Sequence, residues 1–210
     1  MTAPSLAEEL RDATRARILR AAGRVLAARG LAATVDEVAE AAGVNRRTVF
    51  RQFATREALI VATVRAGVQR YADQLPAAPE NDELRGWLVD VLDVTHRLNA
   101  RNGRVFWELT GLPSQQLTGQ IAQVAAECRE SRNRFAAKVA DRLWQARRGA
   151  GQAPRWLVDA VAVHLSGFTT QALAGDLGRA PEQVAAVSAR VIEAALAAAL
   201  AQPAPDVPTI

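Results

Sequence analysis

With 210 residues, half of them apolar and 23% charged, the chain has the balance of a folded soluble protein, with room for one large helical domain or a small one joined to a larger. Its single cysteine, Cys128, excludes an intrachain disulfide, and two histidines, His96 and His164, leave no His-rich metal cluster, so neither a metal nor a cofactor is expected. No uninterrupted apolar run reaches the ~18 residues of a membrane span, and acids and arginines interleave through the first thirty residues where a secretory leader would be apolar; a cytoplasmic protein without a membrane partner is expected.

Helical periodicity is nearly continuous, while strand-like alternation bounded by turn pairs is missing, so the expected class is all-α. The first helix is predicted from about Leu10 to Arg29, with Ile18, Ala22, Val25 and Leu26 on one face and Gly30 as its left-handed stop. Thr34 and Glu37 form a capping box for a short helix over about Val35–Ala42. Gly43 breaks it, Asn45 caps a third helix of about Arg46–Gln52, and Thr55 caps a long fourth reaching about Gln74. After Pro76 and Pro79 the remaining helices are expected at about 82–101, 104–110, 114–148, 155–176 and 181–201, separated at glycines and prolines. The predicted division is a helix-turn-helix domain over 1–54, a connecting helix over 55–75, a larger helical domain over 76–202 and a flexible tail over 203–210.

Charge separates the two parts. Residues 1–70 carry 12 arginines against seven acids, while the rest of the chain is nearly neutral, and Lys138 is the only lysine among the 26 basic residues. A basic head on a neutral body is the pattern of a polyanion-binding module joined to something with another task. The informative stretch is Thr34–Arg56, TVDEVAEAAGVNRRTVFRQFATR. Two short helices joined by a glycine turn form a helix-turn-helix. Ala39 lies where the helices cross and a larger side chain would separate them, and Gly43 supplies a positive φ without a Cβ penalty. Val38, Val44 and Val49 point inward, which leaves Arg46, Arg47, Phe50 and Arg51 projecting from the third helix, a shape and charge suited to a major groove.

The order of first helix, joint, AGVNRRTVFRQFATREAL and long fourth helix, over about residues 11–60, closely resembles TetR/AcrR-type transcriptional regulators. The resemblance implies a homodimer that binds a palindromic DNA operator and is released by a small molecule. It matches Arg46 and Arg47 to positions facing base edges, where arginine forks onto guanine O6 and N7, and Phe50 to an aromatic packing on sugar or a thymine methyl. Many relatives have tyrosine at position 50, so the phosphate contact of its hydroxyl is lost here. Thr48, Gln52 and Arg56 match phosphate-contacting positions, Thr34 would turn the second helix's N-terminus to a phosphate, and Arg51 serves either phosphate or base. Asn45 completes the expected DNA-binding set.

In the body, helices 155–176 and 181–201 are the expected dimer surface, the first apolar on more than one face and the second rich in alanine, which allows close axial approach. Trp87, Phe106, Trp107, Trp144, Trp156 and Phe168 hold most of the chain's aromatic surface and suit a hydrophobic effector, with His96 as a polar contact; ordinary core is the competing reading for each. Cys128, between Glu127 and Arg129, leaves a redox role open. No GxSxG elbow, Walker loop, HExxH or GxGxxG follows the pattern of an enzyme. The expected function is a sequence-specific regulator, a ligand-released repressor. An activator built on the same head, or a nonspecific architectural protein with steep salt dependence, are the alternatives.

Overall fold

In the computed structural model, which describes residues 5–80, 83–111, 116–147 and 151–201, the first helix is set by a cap the periodicity does not reveal. The Glu8 N–H donates to Ser5 Oγ at 3.3 Å and the Ser5 N–H donates to Glu8 Oε2 at 2.7 Å, so α1 spans Leu6–Arg29 and begins before Leu10. Gly30 (φ 62°, ψ −148°) ends it in a region that only glycine occupies cheaply, and a 3₁₀ turn covers Gly30–Ala32. α2 (Val35–Ala42) and α3 (Arg46–Gln52) have the predicted ends. α4 covers Arg56–Gln74, with the Ala58 N–H donating to Thr55 Oγ1 at 3.0 Å.

Two compact units emerge, one from residues within Met1–Ala72 and Arg101–Ala126, the other from residues within Asp73–Ala100 and Glu127–Ile210. A division in chain order puts 101–126 with the body. The packing puts them with the head, because Val105, Leu109, Leu117 and Val124 bury against Leu26, Ile60 and Val61. A second cluster of this unit joins Ile18, Ala22, Val38, Ala39, Val49, Phe53 and Leu59, and so holds α1 against both short helices. Ile18 and Ala22 are wholly buried; truncating a side chain such as Ile18 to alanine costs about 2–5 kcal/mol.

The later helices differ from their expected limits in two informative places. α5 runs unbroken over Leu84–Gly111, so Gly103 does not divide it. A glycine inside a helix costs only about 1 kcal/mol, less than the burial of Val105 and Leu109 on the following turns returns. α6 spans Gly119–Ala146, starting later than position 114. The predicted helix 155–176 is instead α7 (Arg155–His164), α8 (Gly167–Thr170) and a π-helical turn over Gln171–Asp176. Hydroxyls cause the break: Ser166 Oγ donates to Val163 O at 2.5 Å and Thr169 Oγ1 donates to the same carbonyl at 2.7 Å, competing with the helical ladder. α9 spans Pro181–Ala201; the tail 203–210 lies outside the described residues.

The second unit's core joins Leu88, Val91 and Leu92 of α5 to Val139 and Ala140 of α6, Leu157 and Val161 of α7, and Ala185 and Ile192 of α9. Among the described residues α9 is the one helix long and apolar enough to cross a bilayer, although no uninterrupted apolar run is that long. Val184, Ala185, Ser188 and Ile192 of this helix are nevertheless fully buried within the protein fold.

Candidate nucleic-acid interface

The joint between α2 and α3 is built by local hydrogen bonds. Gly43 (φ 61°, ψ 41°) is left-handed, and the N–H groups of Gly43 and Val44 donate to Glu40 O and Ala39 O, each at 3.0 Å. Ala39, Val38 and Val49 are buried at the crossing, with Val44 partly buried beside them. Two arginines of α1 finish the joint, and sequence reasoning did not single them out. Arg24 donates to Ala41 O at 3.2 Å, and Arg15 donates to Gln52 O at 3.0 Å while lying 4.3 Å from the centroid of the Phe53 ring. Each guanidinium therefore meets the carbonyl end of one short helix, where the helix dipole favours a cation.

With the inward side consumed, α3 presents Arg46, Arg47, Phe50 and Arg51 together on its exposed face, as the i, i+1, i+4, i+5 spacing requires. Phe50 keeps 37% of its surface open, large for an aromatic side chain with an apolar core nearby. Arg46 pairs with Asp36 of α2 and its guanidinium lies 5.2 Å from the Phe50 centroid. Arg47 and Arg51 are exposed, and Thr48 and Gln52 are half-buried at the flanks. Asn45 caps α3, accepting at Oδ1 from the Thr48 N–H at 2.7 Å and from the Thr48 hydroxyl at 2.9 Å. Thr34 caps α2 at the exposed start of that helix. Its N–H and hydroxyl donate to Glu37 and hold that carboxyl below its ordinary pKa.

Arg56 stands differently from the expected phosphate contact. Its Nε donates to Ala33 O at 2.7 Å and an Nη donates to Leu31 O, so the half-buried guanidinium is turned onto the backbone ahead of α2. Its sequence position, one residue after Thr55, carries no sign of this, because the acceptors come from another part of the chain.

The candidate pocket residues are divided between the two units. Trp87 and Trp144 are buried in the core of the second unit, and Trp87 Nε1 donates to Pro76 O at 3.1 Å. His96 is wholly enclosed in that unit: its Nδ1 lies 2.8 Å from Thr170 Oγ1 and its Nε2 lies 3.3 Å from Ser188 Oγ. Burial, with His164 nearby, pulls the His96 pKa down to about 4. Phe106 and Trp107 belong to the first unit and are partly buried. Phe168 is 47% exposed on α8. Cys128 is buried and in no disulfide. Among the described residues no group of three or more His, Cys, Asp or Glu side chains is placed to hold a metal.

Comparison with known proteins converges on the same segment. Residues 18–63 match the profile of the bacterial regulatory proteins of the tetR family. No curated protein matches the chain. Among solved structures, a tetR-family transcriptional regulator from Streptomyces coelicolor superposes with a TM-score of 0.68 at 19% identity, over 90% of this chain and 82% of its own. A transcriptional regulator from Rhodococcus sp. Rha1 gives 0.66 at 20% identity, over 88% and 96%. FadR from Bacillus subtilis, solved in complex with stearoyl-CoA, gives 0.63 at 16% identity, over 85% and 95%. At these identities the structures establish a shared fold. Residues 18–63 are thus a segment of the tetR regulatory type, in a chain whose fold is that of solved transcriptional regulators.

Proposed function

We propose that the protein is a repressor that binds a palindromic operator as a homodimer and leaves it when a small apolar effector binds the second unit. The observation that carries this reading is the face of α3, where Arg46, Arg47, Phe50 and Arg51 project together from a helix whose other side is packed. Arg46 and Arg47 read guanine edges, Phe50 packs on sugar or a thymine methyl, Thr34, Thr48 and Gln52 hold phosphates, and Arg51 meets phosphate or base. A bacterial chromosome lies in the cytoplasm, and the protein works there as a binding protein with no catalytic step.

Dimerisation is supported by apolar side chains left open on the second unit, namely Val163, Phe168, Val187 and Val191. These lie on the segments predicted for self-association, and a second copy would cover them. Two heads one helical turn apart, about 34–36 Å, then read two half-sites as one ligand. The effector reading is supported by FadR with stearoyl-CoA and by EbrR, a multidrug binding protein solved with imidazole (24% identity, TM-score 0.54). Within the second unit, the buried Trp156 Nε1–H has no acceptor among the described residues. An effector carrying one hydrogen-bond acceptor on an apolar frame would satisfy it.

Selection of duplexes from a random-sequence library with the full chain tests the core of this reading, and recovery of an inverted repeat is the expected result. On that duplex Arg47→Ala is expected to lose about 1–3 kcal/mol of discrimination at a single base pair. Gln52→Ala is expected to weaken all sequences alike and to lower the salt slope by about one. Equal, sequence-independent losses for both variants would remove the assignment of roles. The Asp36–Arg46 pair is largely exposed and such pairs contribute only about 0–1 kcal/mol, so DNA displaces it at little cost. Asp36→Asn, freeing Arg46 and removing a charge that repels phosphate, is expected to tighten binding several-fold at low salt, as read by mobility shift.

A further inference from the structure

Beyond the helices that face DNA, the segment Gly30–Ala33 leading into α2 is held from two sides. The Arg56 guanidinium at the start of α4 binds the carbonyls of Leu31 and Ala33. From α5 the Glu108 carboxylate accepts the Leu31 N–H, while its other oxygen accepts from Arg104 Nε at 2.6 Å. Every one of these residues lies within the first unit. The Glu108 side chain is nearly buried there, and the backbone N–H of Leu31 finds its acceptor in that carboxylate. Gly30 fits the same arrangement. A Cβ at that position would lie 2.6 Å from Glu108 Cδ, so the carboxylate and any larger residue at position 30 compete for one space.

We propose that Glu108 is a positioning residue for the DNA-binding head. It fixes the backbone between α1 and Thr34, and with Arg56 it sets the angle at which α2 and the α3 packed on it present their contacts. Thr34, the N-cap of α2, follows directly on the clamped Ala33. A change in where α5 places Glu108 would therefore move the start of α2 without touching any DNA-facing side chain. The inference rests on the DNA-binding reading above. It departs from ordinary electrostatics in its sign, because an acid in a DNA-binding domain repels phosphate and its removal ordinarily strengthens binding.

Two conservative variants of the full chain separate these cases. Glu108→Gln keeps the acceptor for the Leu31 N–H and loses the charge; Glu108→Asp keeps the charge and loses the reach. On the duplex selected by the wild-type protein, the Gln variant is expected to bind within about twofold of wild type. The Asp variant is expected to bind about tenfold more weakly, the scale of one charge-assisted hydrogen bond, with an unchanged salt slope. Hydrogen exchange with no DNA present is expected to show faster exchange of the Leu31 amide in the Asp variant alone. Arg56→Ala is likewise expected to weaken binding at constant salt slope. Wild-type affinity and a protected Leu31 amide in the Asp variant would overturn the proposal, as would a salt slope that falls by about one in Arg56→Ala. Because amide exchange needs no operator, failure to select any duplex would count against the DNA-binding reading separately from the clamp.

Discussion

Replacing Val187 and Val191 together by glutamate is expected to leave the chain folded, convert it to a monomer and lower its affinity for a two-half-site duplex by about 10²–10⁴-fold. Both residues are 43% exposed, one turn apart on α9, and their neighbours facing the core, Val184 and Ser188, are fully buried. A charge on the open side therefore leaves the core untouched, and surface changes of this kind alter stability by about 0.5 kcal/mol or less. Facing its own copy across a symmetric interface, each glutamate would meet apolar surface and like charge at once. Affinity for a duplex with one half-site is expected to stay unchanged, because the head is not altered; that invariance separates lost avidity from a damaged helix-turn-helix. Sedimentation velocity and binding to the two duplexes measure both quantities. A double variant that remains dimeric, or a wild-type protein that sediments as a monomer, would falsify the assignment of this face.

What the sequence reveals follows the range of the interactions that decide each feature. The limits of α2 and α3 are legible because Thr34 with Glu37, Gly43, and Asn45 with Thr48 act within three or four residues of one another. The outward set on α3 is legible for the same reason, since Val38, Ala39 and Val49 declare the inward side. Features set by distant partners are not. Arg56 reads as a phosphate contact until Leu31 and Ala33, more than twenty residues upstream, are seen to occupy it. Glu108 and Leu31 are separated by 77 residues, and neither carries a local sign of the other. Gly103 looks like a helix stop because propensity is local, while the burial of Val105 and Leu109 that overrides it is tertiary. In 155–176 the apolar period persists through the break, and the hydroxyls of Ser166 and Thr169 that interrupt the ladder are ordinary helix residues by composition. Phe168 is 47% exposed, and the aromatic set expected to share one pocket is divided between the two units.

Acid is expected to weaken the second unit well above the range where carboxylates titrate, and the cause is His96. This imidazole is fully enclosed, bridging Thr170 on α8 and Ser188 on α9, with Asn99 Nδ2 donating to the same Thr170 hydroxyl at 3.1 Å. Ser188 Oγ also lies 3.2 Å from His164 Nδ1, so both histidines of the chain share one serine. Burial is the main force holding His96 neutral, the neighbouring His164 adds to it, and Asp93 opposes both; burial lowers His164 as well. The folded pKa of about 4 lies below the ordinary value of 6.5. Between those values the unfolded chain binds a proton that the folded chain refuses, so this stability is fully present above pH 6.5 and is lost as pH falls toward 4. At about 1.4 kcal/mol per pH unit, the fall from pH 7.5 to 5 removes about 2 kcal/mol through His96 alone. For a chain of this length that lowers Tm by roughly 4–8 °C. Thermal unfolding at the two pH values is the measurement. His96→Gln is expected to melt lower than wild type at pH 7.5, having lost a packed and bonded ring, yet to lose much less on acidification. Equal acid sensitivity in the two proteins would mean that the enclosed imidazole is not the group taking up the proton.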